Sequence, residues 1–283
     1  MADNIIISAD CACDLPENLI EKYDIKIIPF YINFRNRRFM DYKEVISTTL
    51  VEYLEKEDEI ISSSAPDVEE YKEYFKKISE NGKRQVIHIS LAKKISLGYK
   101  NALDASKNMD NIHIIDSGSV SHGMGIFTLA AADFAKNTTK PDKVIAELKK
   151  IRSKIKCSFI LRSTYHIANN KRFNQWISNI LLFFRVKAII KVSNDELKLG
   201  GLHIGNRESY ARAFVKKALK RKKNISDDIL FIAVCGCNDD IKKIVYDEAT
   251  KVIPWKRIYV EDASATCLCN IGAHSIGIIF CEK

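Results

Sequence analysis

The residues from Val86 to Ala105, VIHISLAKKISLGYKNALDA, set the strongest constraint on how this chain can fold. Val86, Ile87, Ile89 and Leu91 form an apolar run of strand length. Helical spacing begins near Ser96 and continues through Ala102, Leu103 and Ala105. A strand that feeds a helix across a short turn brings the unpaired N–H groups of the first helical turn, and the positive end of the helix dipole, to one point. In an open α/β sheet that point faces the crevice at the carboxyl ends of the strands, where ligands sit. The turn here carries Lys93, Lys94 and Ser96, with Gly98 in the first helical turn. Ser96 is thus a candidate donor to an anion and equally a candidate N-cap, and Gly98 is expected to let a ligand approach the backbone.

The same alternation runs through the first half of the chain. Asn4 to Ser8 reads as a buried strand ending at Asp10, followed by a turn with Cys11 and Cys13. Asp14-Leu15-Pro16 reads as a helix start, with Asp14 as N-cap and Pro16 near the first helical position. Lys26 to Phe34 reads as a second strand, its Pro29 marking an edge or a bulge, and Arg35 to Arg38 as a basic turn before a helix from Tyr42 to Glu57. Ser62-Ser63-Ser64-Ala65-Pro66 precedes a helix from Val68 to Asn81, for which Asp67 and Glu70 form a capping box. The serine hydroxyls ahead of that helix are also candidate anion donors. A strand from Asn111 to Asp116 leads into Ser117, Gly118, Ser119, Ser121, Gly123 and Gly125, small residues that let a helix pack close to the sheet. Helices at Phe127 to Lys136 and Asp142 to Lys154 and a strand at Cys157 to Leu161 follow. This rhythm predicts a parallel sheet with helices on both faces.

After about residue 155 the rhythm changes. Tyr165 to Phe184, with Arg172 and Trp176, reads as helical or broken-helical; strands are expected at Val186 to Val192, Lys198 to His203, Ile229 to Cys235, Arg257 to Val260 and Ile276 to Cys281, with helices at Ser209 to Lys222 and Asp239 to Val252. The fold class is therefore α/β in two domains: a parallel α/β domain over residues 1–155 and an α+β domain over residues 156–283.

Composition narrows the function classes. The 46% apolar share fills two cores, yet no apolar run approaches the ~18 residues of a membrane helix. The start MADNIIISAD lacks the basic and apolar regions of a secretion signal, so a cytoplasmic protein is expected. The eight cysteines are then expected as free thiols. Six fall in C-x-C pairs (Cys11/Cys13, Cys235/Cys237, Cys267/Cys269), a spacing that on a strand places both thiols on one buried face and is not that of a zinc knuckle. The net charge of +9 is spread over helical segments, with only Lys220 to Lys223 forming a block, and no nucleic-acid module accompanies it. No metal site, cofactor motif or nucleophile–base pair is legible.

These pieces, in this order, resemble the DegV family of bacterial fatty-acid-binding proteins. Ala9-Asp10-Cys11-Ala12-Cys13-Asp14-Leu15-Pro16 stands at the family's T-D-S-T-x-D-L-P, Ser63-Ser64-Ala65-Pro66 at T-S-Q-P, and Ile95-Ser96-Leu97-Gly98-Tyr99 at L-S-G-T-Y. Asp116-Ser117 with Ser121, Gly123 and Gly125 matches D-S…S-x-G-x-G, Asn170-Lys171-Arg172 stands at G-G-R, Lys187-Ala188 at K-P, and Asn270-Ile271-Gly272-Ala273-His274 at H-x-G-P-G. The resemblance implies an acyl chain buried between two domains, its carboxylate held by hydroxyls and, in some members, presented to a fatty acid kinase. On that footing Ser63, Ser96 and Asn270 are carboxylate ligands, with Lys93, Arg172 and His274 as further candidates. Burying a tail of roughly 14 methylenes yields about 11 kcal/mol before ordering costs, and its carboxylate must then be hydrogen-bonded. Asn270 replaces the family's histidine, which places the kinase partnership in question. The resemblance implies a binding protein rather than an enzyme; the alternative is a serine-dependent acyl hydrolase using Ser96 or Ser63.

Overall fold

The computed structural model describes residues 5–45, 47–55, 61–162, 187–193, 195–220 and 222–283. Arg172, Trp176 and the stretch from Tyr165 to Phe184 lie outside the described residues. The first sheet is parallel and has the order β2-β1-β6-β7, built from β1 (Ile6–Asp10), β2 (Lys26–Ile28), β6 (Val86–Ser90) and β7 (Ile112–Asp116). Because β2 lies on one side of β1 and β6 on the other, the strand order reverses beside β1, the point at which open α/β sheets place their ligands. Helices α1 (Glu17–Lys22), α3 (Val68–Ile78), α4 (Gly98–Ala105), α5 (His122–Ala135) and α6 (Pro141–Ile151) accompany it.

A small antiparallel sheet, β4-β3-β5, stands beside this one, formed by β3 (Tyr31–Phe34), β4 (Arg37–Met40) and β5 (Ser62–Ser64), with α2 (Ser47–Glu55) between the last two. The single strand expected from Lys26 to Phe34 is thus two strands in two sheets. They separate around Pro29, which has no N–H for a ladder. The basic turn shrinks to Arg35 and Asn36, both left-handed, and Arg37–Met40 returns as a strand. Asp67 and Glu70 do form the capping box, each side chain accepting from the other's backbone N–H, at 2.9 and 2.7 Å.

The second large sheet is mixed, in the order β10-β9-β8-β13-β11-β12. It comprises β8 (Ile155–Ile160), β9 (Lys187–Ser193), β10 (Glu196–His203), β11 (Ile225–Val234), β12 (Arg257–Asp262) and β13 (Ile276–Glu282), and only β11 and β12 pair in parallel. Helices α7 (Arg207–Ala218) and α8 (Asp239–Val252) pack on it, and a short helix α9 (Ala265–Ile271) precedes the last strand. Among the described residues no helix is long and apolar enough to cross a membrane.

Helix α5 joins the two halves. It is apolar nearly all round and almost wholly buried, as a helix covered on every side must be. One core cluster gathers Ile7 and Ile87 of the parallel sheet, Phe127 of α5 and Phe159, Phe231 and Ile279 of the mixed sheet. The glycines at its start permit the approach. A Cβ on Gly125 would stand 2.7 Å from the Cys13 carbonyl oxygen, and one on Gly123 would overlap the Cys157 thiol.

The cysteines are buried free thiols in the main, with Cys267 and Cys281 half-buried. Their geometry differs from the strand expectation. Cys11 and Cys13 lie in a 3-10 turn, Cys267 and Cys269 in α9, and Cys235 and Cys237 just beyond β11. Burial pushes the Cys13 thiol up to about 12 and Cys157 to about 11, so both stay protonated and inert at neutral pH.

Candidate functional site at the seam of the two sheets

The carboxyl end of β1 is held by a buried carboxylate. Asp10 ends β1 with no exposed surface, and its Oδ1 accepts from the Tyr71 hydroxyl at 2.6 Å. Its Oδ2 accepts from the Ser90 hydroxyl at 2.9 Å and the Leu91 N–H at 2.8 Å. His88 Nε2 lies 3.2 Å from Oδ1, and its Nδ1 lies 2.9 Å from Ser8 Oγ, which is 2.8 Å from the Tyr74 hydroxyl. These bonds form one chain if Tyr74 donates to Ser8, Ser8 to His88 and His88 to Asp10, every member being satisfied. The network fixes the end of β6 and the turn beyond it, which carries Ser96.

In that turn Leu97, not Ser96, occupies the N-cap position, without a side-chain bond; the Ser96 hydroxyl accepts from the Gly98 N–H at 3.0 Å, a serine turn. The hydroxyl proton is not spent in this bond. Gly98 itself is packed under Phe30, Tyr71 and Asp10, where a Cβ would meet atoms at 3.0 to 3.4 Å. It therefore serves close packing rather than the approach of a ligand. The Asn101 side chain, one turn along α4, donates to the Pro66 carbonyl at 2.7 Å, which ties the start of α4 to the end of β5.

Ser63 lies on β5, paired with Ile32. Asn270, near the end of α9, donates through Nδ2 to Ser63 Oγ at 2.8 Å and to the Thr266 carbonyl at 2.6 Å. The fold thus brings together two candidate residues 207 positions apart. The other candidates go elsewhere. Lys93 is half-exposed, with its N–H on Asp116 Oδ1 at 3.2 Å and its ammonium 4.0 Å from Oδ2. His274 takes a left-handed backbone, φ 60°, and its Nδ1 lies 2.7 Å from an Arg207 nitrogen. Asn270 rather than His274 meets Ser63. Neither Ser63 nor Ser96 hydrogen-bonds a histidine among the described residues.

A buried carboxylate that patterning did not reveal, Asp41, holds α9 in place. Asp41 is 1% exposed; it accepts from the Ala265 N–H at 3.2 Å and the Thr266 N–H at 2.8 Å, and Ser264 takes the Cys267 N–H. The first turn of the helix that carries Asn270 is therefore capped from the other half of the chain. Asp14, expected as an N-cap, is not one. Pro16 occupies that position, and Asp14 is left-handed and accepts from the Ser121 hydroxyl at 2.6 Å.

Burial pushes the Asp14 carboxyl up to about 7; the Ser121 bond opposes the rise and the Asp41 charge adds to it. With its folded pKa above its unfolded one, Asp14 contributes stability that is complete below the unfolded value and lost as pH rises through about 7. From about pH 5.5 to about pH 8.5 the loss amounts to roughly 2 kcal/mol, and Asp14→Asn should flatten that part of the curve in denaturant titrations. Equal slopes in the two proteins would refute the assignment.

The arrangement is that of a two-domain α/β protein, a parallel sheet in one half and a mixed sheet in the other. The DegV family model, described as covering uncharacterised proteins, matches residues 4–283, and the chain belongs to that family. It is 26% identical over 241 residues to a DegV domain-containing protein of Clostridium perfringens, covering 84% of this chain and 85% of that one. A Thermus thermophilus structure described as showing fatty acid binding of a DegV family protein superposes with a TM-score of 0.88 at 18% identity, covering 99% of this chain and all of the other. A Eubacterium ventriosum structure described as a stearic acid-binding protein superposes with a TM-score of 0.85 at 19% identity, covering 98% of each chain.

Proposed function

We propose that this protein binds a long-chain fatty acid between a domain of residues 1–155 and a domain of residues 156–283. Its carboxylate is held by the Ser63 and Ser96 hydroxyls, and the protein acts as a carrier rather than a catalyst. The observation that carries the reading is the Ser63–Asn270 bond across the seam. With both amide protons of Asn270 directed to Ser63 and Thr266, Asn270 polarises the Ser63 hydroxyl, whose own proton goes to the carboxylate. Ser96, turned into place by its bond from Gly98, donates in the same way. Family membership and the fatty-acid-binding proteins that share the fold support the tail's apolar chemistry. The hydrolase alternative draws no support from the described residues, among which neither serine hydrogen-bonds a histidine.

Denaturing mass spectrometry of the purified protein should release a long-chain fatty acid. A lipid-free spectrum, together with no uptake of added oleate or palmitate, would overturn the reading. Ser63→Ala and Ser96→Ala should each weaken uptake by about 1.5–3 kcal/mol, the range for hydrogen bonds to a charged group.

Presentation to a fatty acid kinase follows from the same reading, with one expected weakness. Asparagine at position 270 holds no titratable proton near neutral pH, whereas histidine would. Asn270→His should therefore raise acyl-phosphate formation with such a kinase more than it raises fatty acid affinity. Equal changes in the two assays would count against it.

A further inference from the structure

A cavity lies at the turn beyond α9, where His274 follows the helix. It has a volume of about 610 Å³ and is lined, among the described residues, by Arg162, Lys187, Gly205, Arg207, Tyr210 and His274. Three of the six carry fixed positive charge and none is a carboxylate. Crowding of cations is visible in the chemistry, for burial and then the Arg162 charge hold the Lys187 ammonium below its ordinary range. Lys187 gives one proton to the Arg162 carbonyl at 2.6 Å, which leaves its charge without compensation from that bond.

The groups around the cavity are donors. The Arg207 guanidinium, always charged, donates to His274 Nδ1 at 2.7 Å, so the imidazole proton sits on Nε2. Tyr210 is 2% exposed and lines the cavity, and its hydroxyl is buried with no hydrogen-bond partner. Burial raises that phenol, so it keeps its proton at neutral pH. Arg207 Nε and His203 Nε2 are likewise buried without partners, and a Cβ on Gly205 would lie 3.2 Å from the latter. Leaving such groups unpaired is costly in a folded protein unless a ligand completes them. The cavity also faces the start of α7, where the helix dipole favours negative charge.

We propose that this cavity binds a phosphate group, held by the Arg207 fork and the Tyr210 hydroxyl within the positive field of Arg162 and Lys187. A planar carboxylate would satisfy the Arg207 fork but leave the remaining donors short of acceptors. A phosphate offers further oxygens in a tetrahedral spread that matches donors converging from β8, β9 and α7. Phosphate binding here does not depend on what Ser63 and Ser96 hold.

Isothermal titration of the full chain with inorganic phosphate, phenyl phosphate and acetate, at constant ionic strength, tests the proposal. Inorganic phosphate or its phenyl ester should bind saturably, and acetate at least tenfold more weakly. Tighter binding of the ester assigns the cavity to a phosphorylated molecule, and tighter binding of inorganic phosphate assigns it to the free ion. Tyr210→Phe, which keeps the ring in its packing, should weaken phosphate binding about tenfold or more while leaving fatty acid content and the thermal midpoint of the ligand-free protein unchanged. Arg207→Gln should abolish saturation. A flat isotherm up to tens of millimolar phosphate, or affinities that neither substitution alters, would overturn the proposal. Lipid-free protein that still binds phosphate would sink the fatty acid reading while leaving this one standing.

Discussion

Asp10→Ala should cost about 4–5 kcal/mol of folding stability, because it strands the Tyr71 hydroxyl, the Ser90 hydroxyl, the Leu91 N–H and His88 together in the interior. Asp10→Asn should cost less than half of that. Its carbonyl can serve Ser90 and Leu91, while the Tyr71 hydroxyl and the His88 ring can each turn from donor to acceptor toward the amide. Chemical denaturation of the three proteins gives the numbers directly. A loss under about 1 kcal/mol for Asp10→Ala would mean that water replaces the carboxylate in the network. The same substitution should loosen the turn from Leu91 to Leu97, so fatty acid affinity falls even in the folded fraction.

Asp41→Ala comes next, with an expected loss of about 3–4 kcal/mol. The carboxylate accepts from Tyr42, Ala265 and Thr266 N–H groups, at 2.9, 3.2 and 2.8 Å, and a methyl group can accept from none of them. The damage should be directional. Amide exchange in α9 should accelerate well beyond that in β13, because the helix is short and its first turn loses its cap from outside. Asn270 would then meet Ser63 less often, and fatty acid uptake should fall with it. Uniform acceleration across the mixed sheet would show instead that Asp41 supports the whole fold and not the helix.

Much of the fold and part of the site were legible before any coordinates. The alternation from Val86 to Ala105 is a real strand and helix, though the N-cap position falls on Leu97 and Ser96 closes the turn one residue earlier. The Asp67–Glu70 box and the small residues of the Ser121–Gly125 segment behave as their patterns imply. The order of short motifs was enough to place the whole chain in its family, since each motif marks a turn that the same backbone must make.

What could be read in advance depends on neighbours a few residues away: a strand alternates every second residue, a helix repeats every third or fourth, and a cap acts within one turn. Tertiary structure alone decided the rest. Asp14 looked like a cap because Pro16 follows it, but Ser121, 107 residues on, took its carboxylate and buried it. Pro29 divided one apolar run between two sheets. Asp41, unremarkable in its own neighbourhood, became the cap of a helix more than two hundred residues away. Asn270 rather than His274 reached Ser63 because α9 runs unbroken to Ile271 and the left-handed turn at His274 sends that ring to Arg207. Buried polar groups must find partners, and in a folded chain the partner is set by proximity in space, which no local pattern encodes.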